Sequence, residues 1–308
     1  MARIIVTGAT GFIGKALCFR LLEEKYDVVA LSRSKEKGEK IFGSDVTVVE
    51  WDAKSSEGWL EHANGAYAVV NLAGENIGSG RWTAKKKQAI LQSRLDAGRA
   101  VVEAAKSVEK KPGIIIQASA IGYYGLRGDE IIDESSSPGE GFLAEVVKKW
   151  ELSTQEVESQ NIRRVIIRSG VVLGKKGGAF FRLMKPFRLF VGGHLGSGKQ
   201  WFSWIHLEDE VNAILFLIQR VDLKGIFNLT APHQLIQKDF ARLTGKIMKR
   251  PSWLPVPGFV LRLFFGEMAK EMLLSGQRVS PRRLLEGSYR FFYPQVELAI
   301  KEILGENA

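Results

Sequence analysis

The sequence predicts an α/β fold built on a doubly wound parallel sheet, with a smaller, mostly helical C-terminal lobe. Short β-branched runs alternate with helical stretches over the first two-thirds of the 308 residues, as βαβ units do. The runs are apolar throughout rather than alternating, the mark of strands buried on both faces. A glycine-rich turn joins the first strand to the first helix, where such folds reverse most tightly.

Strands are expected at Arg3–Thr7, Asp27–Ser32, Val46–Glu50, Ala68–Asn71, Gly113–Ser119, Arg163–Ser169 and Ile226–Leu229. Helices are expected at Phe12–Glu24, Thr83–Val108, Gly141–Gln160 and Leu207–Arg220, the second open to interruption near Gly98. After Ser169 the texture changes. Residues 174–200 are rich in glycine, aromatic and basic residues and read as loops with one short helix. From Ala231 helical patterns dominate, broken at Pro255, Pro257 and Pro281. Residues 1–230 are therefore expected to form a nucleotide-binding half, with 171–205 on its substrate side and 231–308 as the lobe. The lobe should lie over the C-terminal edge of the sheet, where open α/β sheets bind ligands.

Composition narrows the classes. A content of 45% hydrophobic and 25% charged residues is that of an ordinary globular chain. The net charge of +10 comes from scattered cations: Arg33, Lys85 to Lys87, Lys148-Lys149, Arg163-Arg164 and Arg282-Arg283. No aromatic–basic interleave accompanies them, so a solvated basic surface is expected rather than a nucleic-acid partner. The single cysteine, Cys18, excludes a disulfide framework and a cysteine-rich metal site, and reads as a buried structural thiol. His62, His194 and His233 lack ligand spacing, so no metal is expected. The opening MARIIVTG reads as a strand, not a signal segment. No run reaches the ~18–20 apolar residues of a span. The expectation is a cytoplasmic monomer or homodimer without a membrane partner.

The strongest motif is Gly8-Ala9-Thr10-Gly11-Phe12-Ile13-Gly14. Gly8 allows the tight turn, Gly11 lets the backbone approach a pyrophosphate, and Gly14 lets the helix pack on the sheet. Free amides at the helix start then favour phosphate, which identifies a Rossmann-type dinucleotide site. At the end of the second strand an NAD site would place an acid. Arg33 and Ser34 stand there instead, and suit a 2′-phosphate, so the cofactor expected is NADP(H). Two further strand ends are expected along its path: Trp51-Asp52-Ala53 near the adenine, and Asn71-Leu72-Ala73-Gly74 under the ribose and nicotinamide.

TGATGFIG (7–14), NLAG (71–74) and RSGVVLG (168–174) resemble an extended short-chain dehydrogenase/reductase. NLAGENIGSGRWTAKKKQAILQSR (71–94), SAIGYYG (119–125) and GGHLGSGKQWFSWIHLEDEVNAI (192–214) are similar to the YfcH-like epimerase family. GIFNLTAPH (225–233) through EGSYRFFYP (286–294) resembles that family's own C-terminal domain of unknown function. The resemblance covers essentially the whole chain. It implies an atypical reductase or epimerase-like protein that binds NADP(H). Gly8, Thr10, Gly11, Phe12 and Ile13 match its phosphate loop, and Arg33 and Ser34 its 2′-phosphate site. Asp52, Ala73, Gly74 and Glu75 match the path from adenine to nicotinamide, and Val171 the residue abutting the ring.

Such enzymes transfer a proton through a Tyr with a Lys four residues on, one helical turn away, whose ammonium lowers the phenol pKa. None of the six tyrosines is followed so, and the helix concerned carries Leu143 and Val147 at those positions. The catalytic candidates left are Ser119, ending the fifth strand, and Tyr123 and Tyr124 in the next loop. Each also reads as structural: a strand-end hydroxyl and packed rings. Glu145 and Lys149 read as an exposed ion pair, and His206 as a backbone partner. Arg81 is the candidate for an anionic substrate group, with a structural ion pair as its other reading, while the tryptophans at 82, 201 and 204 read as pocket wall or inter-lobe core. The functional expectation is an NADP(H)-dependent oxidoreductase of epimerase type on a small polar substrate. Its rival is a catalytically silent NADP(H)-binding protein that reports redox state.

Overall fold

The computed structural model describes residues 1–175 and 177–305. Its centre is a sheet of seven strands: β1 (Arg3–Thr7), β2 (Asp27–Ser32), β3 (Thr47–Glu50), β4 (Ala68–Asn71), β5 (Ile114–Ala120), β6 (Arg163–Ser169) and β7 (Gly225–Leu229). Every pairing is parallel and the order is β7-β6-β5-β4-β1-β2-β3. The strands agree with the sequence reading to within one residue at either end. The chain builds outward from β1 on one side, then crosses back to β4 on the other. Between β1 and β4 lies the topological switch point, where a crevice opens at the C-terminal edge.

The period-2 geometry of the strands divides the core in two. Ile4, Val6, Val28, Ala30, Ile114 and Ile116 pack beneath α1 (Phe12–Glu23) and a later helix, Leu207–Gln219. Ile5, Val29, Leu31, Val69 and Ile115 pack against the long helix Ala84–Ser107. The central-strand residues are 0–1% exposed, and each such Val, Ile or Leu side chain contributes about 1.5–3 kcal/mol by leaving water. Cys18 lies in the first layer, where burial pushes its thiol up to about 12, consistent with an inert structural thiol.

The helices depart from expectation in four places, one of them the single turn Leu60–Ala63. A helix absent from the sequence reading, α2 (Lys35–Phe42), begins at Ser34, whose hydroxyl accepts from the Lys37 amide. The helix Ala84–Ser107, here α3, runs unbroken through Gly98. A Cβ at Gly98 would collide with Ser153 Oγ, so this glycine serves close packing rather than a break. The segment expected as Gly141–Gln160 divides into α4 (Phe142–Leu152) and a 3-10 turn, Gln155–Gln160. Ser153 closes α4, its hydroxyl donating to Trp150 O at 2.6 Å. The helix Leu207–Gln219, α5, ends on Arg163, whose guanidinium donates to the carbonyls of Leu217, Ile218, Arg220 and Leu223. That cation, expected on a solvated surface, instead satisfies a helix C-terminus.

The lobe has a core of its own. Leu173, Phe180, Met184, Phe187 and Trp204 pack with Phe240, Ile247, Val296, Ile300 and Ile303. Residues 171–206 thus share a core with the C-terminal helices. Val171–Leu173 pairs with Trp204–His206 within this segment, and two short pairings fasten the C-terminal part: Trp201–Phe202 beside Leu235–Ile236, and Ile131–Ile132 beside Arg278–Val279.

Candidate functional site

The crevice is lined first by the turn after β1. Gly8 has φ +64°, which L side chains rarely adopt, and a Cβ there would lie 2.9 Å from Leu72 O. A Cβ at Gly14 would collide with the Gly8 carbonyl, so α1 can approach the strand only with glycine here. Gly11 is the N-cap, without a side-chain cap, and no acid stands in the first turn of α1. The first amides and the dipole of a twelve-residue helix are thus left open to an anion. Phe12 turns its ring away onto Gly174, Gly177 and Gly178, where any Cβ would press on it at 2.8 Å. Its contribution to a phosphate site is therefore its backbone amide.

A buried polar chain fixes the opposite wall. The Thr7 hydroxyl donates to Asn71 Oδ1 (2.8 Å) and accepts from the Leu72 and Ala73 amides (3.1 Å each). Asn71 Nδ2 donates to Gln117 Oε1 at 2.9 Å. One hydroxyl on β1 thereby sets the path of the chain leaving β4, which holds Ala73 and Gly74 beside the crevice. Gly74 rests on Arg94, which donates to Glu75 O and Ile90 O and lies over Trp150 at 4.7 Å. Burial lowers Arg94 to about 10. Glu75 pairs with Lys86 at 2.6 Å, which holds its carboxyl below its ordinary value. Arg182, from the helix Gly178–Arg188, reaches across to the Gly78 carbonyl.

At the end of β2, Arg33 is exposed and joins no ion pair among the described residues. Ser32 Oγ donates to Ser34 O at 3.0 Å and so shapes this turn. Asp52 caps its own loop, accepting from the Lys54 and Ser55 amides, which hold its carboxyl low. Ala53 beside it has φ +63°. Val171 begins the strand that leads into the lobe, its amide donating to Ser203 O at 2.9 Å.

On the substrate side the structure gathers Ser119, Tyr123 and Tyr124, then engages them. Ser119 pairs across the sheet with Arg168, and both meet Glu151 of α4. The Ser119 hydroxyl donates to Glu151 Oε1 at 2.5 Å. Arg168 donates twice to the same carboxylate, at 2.8 Å each. Its third nitrogen donates to the Tyr124 hydroxyl, which donates in turn to Asn228 Oδ1 at 2.7 Å. Burial pushes the Tyr124 phenol up to about 12. Although burial acts to lower Arg168, the Glu151 carboxylate outweighs it and raises the guanidinium above its ordinary value. Tyr123 lies flat on that guanidinium, 3.4 Å from its ring centre. Tyr124 is 0% exposed, so the phenol considered as an acid/base is directed into a protein network instead. Val147 is buried and Leu143 sits against Gly122, so the helix brings no phenol or ammonium to the crevice at the expected positions.

Arg81 is exposed and lies against Gly266, whose Cβ would meet it at 3.5 Å. Beside it Trp82 meets Phe142 edge-on, and Lys87 pairs with Glu267 at 2.9 Å. Glu271 accepts from the Phe142 and Leu143 amides at 2.9 and 2.8 Å, so a lobe carboxylate caps α4. His206 accepts from the Glu208 amide at 3.3 Å, the backbone contact expected of it. Glu145 and Lys149 form the expected exposed pair at 2.6 Å.

Arg168, Glu151, Arg94 and Glu271 had no place among the sequence candidates. Only the register of Ser119 opposite Arg168 would have flagged the first two.

The sequence matches the NAD dependent epimerase/dehydratase family over residues 4–230 and a domain of unknown function, DUF1731, over residues 256–303. It is 41% identical over 303 residues to the Arabidopsis thaliana "Epimerase family protein SDR39U1 homolog, chloroplastic", covering 98% of this chain and 86% of that one. With epimerase family protein YfhF of Bacillus subtilis it shares 36% over 307 residues, 99% of this chain and 98% of the other. Its structure is similar to human epimerase family protein SDR39U1 (isoform 2), solved with NADPH, at TM-score 0.89 and 32% identity, covering 99% and 100% of the two chains. Thermus thermophilus UDP-glucose 4-epimerase, solved with NAD, shares the fold at TM-score 0.77 and 17% identity, covering 99% and 100%. With its parallel seven-strand sheet, its glycine turn and this match over 4–230, the chain belongs to the NAD dependent epimerase/dehydratase family.

Proposed function

We propose that this chain binds NADP(H) in the β1/β4 crevice and is an epimerase-like oxidoreductase acting on a small polar substrate. The observation that carries the cofactor choice is Arg33, an exposed cation outside any ion pair among the described residues, where an NAD site would place an acid. The NADPH in the solved structure of human SDR39U1 supports the same choice. Gly8, Thr10, Gly11, Phe12 and Ile13 form the phosphate loop, with the open amides at the start of α1 toward the pyrophosphate, while Arg33 and the Ser34 hydroxyl hold the 2′-phosphate. Asp52 and Ala53 flank the adenine. Ala73, Gly74 and Glu75 follow the ribose toward the ring, and Val171 closes its far side. Residues 1–230 supply this half; 171–205 and 231–308 supply the substrate side.

When bound, the cofactor supplies hydride. The chain supplies orientation. Ser119 gives its proton to Glu151, so its oxygen is free to accept from a substrate hydroxyl. Arg81, at the rim beside Gly266, takes an anionic group of the substrate. A second reading, a silent NADP(H)-binding protein, is favoured by the burial of the Tyr124 hydroxyl between Arg168 and Asn228.

Two measurements decide. Arg33→Ala should weaken NADPH about 10- to 100-fold, the value of a charge-assisted hydrogen bond, and leave NADH nearly unchanged; equal losses overturn the 2′-phosphate assignment. Stereospecific loss of labelled hydride from NADPH in a carbonyl screen, abolished by Ser119→Ala, supports the enzyme. Tight NADPH binding with no turnover on any compound class supports the silent binder.

A further inference from the structure

The lobe carries an outer face that the cofactor site does not use. The helix Gly258–Phe265 buries only Leu261 and exposes Phe259 (71%), Leu263 (69%) and Phe264 (65%). The segment leading into it exposes Trp253 (67%) and Leu254. Alongside runs the tip after the helix Gly178–Arg188, exposing Leu189 (72%), Phe190 and Val191. The two segments are neighbours: Gly192 bridges Ser252, Leu195 bridges Val256, and the Leu254 amide donates to Gly192 O at 3.1 Å. Isolated exposed apolar residues are ordinary, but these crowd two neighbouring segments of the lobe.

Its charge is one-sided. No Asp or Glu occurs from residue 177 to 207 or from 240 to 266. Lys185, Arg188, Lys249, Arg250 and Arg262 are all exposed there. Arg250 lies over the Phe190 ring at 4.2 Å, and Lys185 and Arg188 flank Phe181 at 5.6 Å each. Cations thus border the projecting rings, the arrangement by which a helix lies in an interface of anionic lipid.

We propose that this face docks the protein on an anionic lipid surface, with Trp253, Phe259 and Leu263 entering the headgroup region and Arg250 and Arg262 meeting the phosphates. A second copy fits less well, because a two-fold contact would bring the same cations face to face. The expectation of no membrane partner came from the want of a span, and among the described residues no helix is long and apolar enough to cross a membrane. Interfacial docking requires none. The inference does not depend on the NADP(H) reading.

Flotation of the full chain with vesicles of phosphatidylcholine, alone or mixed with phosphatidylglycerol, tests it. Binding is expected to the mixed vesicles at low salt, at least about tenfold weaker on phosphatidylcholine alone, and falling as salt rises. Phe259→Ser/Leu263→Ser and Arg250→Glu/Arg262→Glu should each weaken it about tenfold or more, with NADPH affinity and melting temperature as controls for folding. Failure of the unaltered chain to bind mixed vesicles at low salt overturns the proposal, as does undiminished binding by the apolar double variant. Light scattering that finds a dimer made monomeric by Phe259→Ser/Leu263→Ser would assign the face to a second copy instead.

Discussion

Replacing Arg168 by Met should remove a large share of this protein's stability, and the geometry sets how much. The Arg168 side chain is 1% exposed and that of Glu151 9%, with two parallel N–H···O bonds of 2.8 Å between them. Without the guanidinium, Glu151 keeps only the Ser119 hydroxyl, and Tyr124 loses a donor. Removing one member of a buried pair costs about 3–5 kcal/mol, because the remaining charge is uncompensated. At this chain length the melting temperature should fall on the order of 10 °C. Chemical unfolding of the single variants Arg168→Met and Glu151→Leu and of Arg168→Met/Glu151→Leu measures this. The double variant, with no buried charge left, should recover most of the loss. A single variant costing under about 1 kcal/mol, or a double variant no better than either single one, would mean that the pair is not a desolvated, mutually compensating one.

Burial raises Glu210 to about 8, with Ser169 its hydrogen-bond partner at 2.6 Å. Its protonated form therefore belongs to the native state, and stability should fall between roughly pH 4.5 and 8; Glu210→Gln should flatten that fall in melting curves. Gly14→Ala, which drives a Cβ into the Gly8 carbonyl, should abolish dinucleotide binding by calorimetry, whereas Lys15→Ala on the exposed side should not. Tyr124→Phe leaves Asn228 Oδ1 and one Arg168 donor unpaired and should cost about 1–3 kcal/mol in urea unfolding. Any turnover the protein has should survive it, and loss of turnover in a variant still folded would return that phenol to the chemistry.

The parts of the molecule legible in sequence are those whose cause is local. Each strand of the central sheet announces itself by a continuous apolar run, and the glycine turn by spacing within seven residues, 8 to 14. α2 carries little apolar signal, because only Gly38 and Phe42 of its eight residues are buried. The end of α4 leaves no mark in the sequence, because Ser153 and Thr154 stop the helix by local hydrogen bonding and packing without any proline or glycine. The buried network was illegible for a different reason. Its members, Ser119, Tyr124, Glu151, Arg168 and Asn228, come together only through the register of β5 with β6 and β6 with β7. Arg163 likewise reads as a surface cation in the sequence, since only the fold brings the C-terminus of α5 onto it.

The same contrast explains how the cofactor half and the missing chemistry coexist. The pyrophosphate part of a dinucleotide site is made of backbone amides and glycine clearances and depends on few side chains. The proton-transfer pair, by contrast, depends on two side chains one turn apart on α4. Here that helix has been put to other uses. Its first amides hold Glu271 of the lobe, its middle presents Val147 to the core, and its end delivers Glu151 to Arg168. Restoring a tyrosine at 143 alone would therefore not restore the chemistry. A lysine at 147 would have to enter the buried site of Val147, where an unpaired ammonium costs far more than the phenol's activation returns. On the proposed function, the hydroxyls left to relay a proton are those of Ser119 and of half-buried Tyr123, so loss of turnover in Ser119→Ala or Tyr123→Phe favours the enzyme over the silent binder.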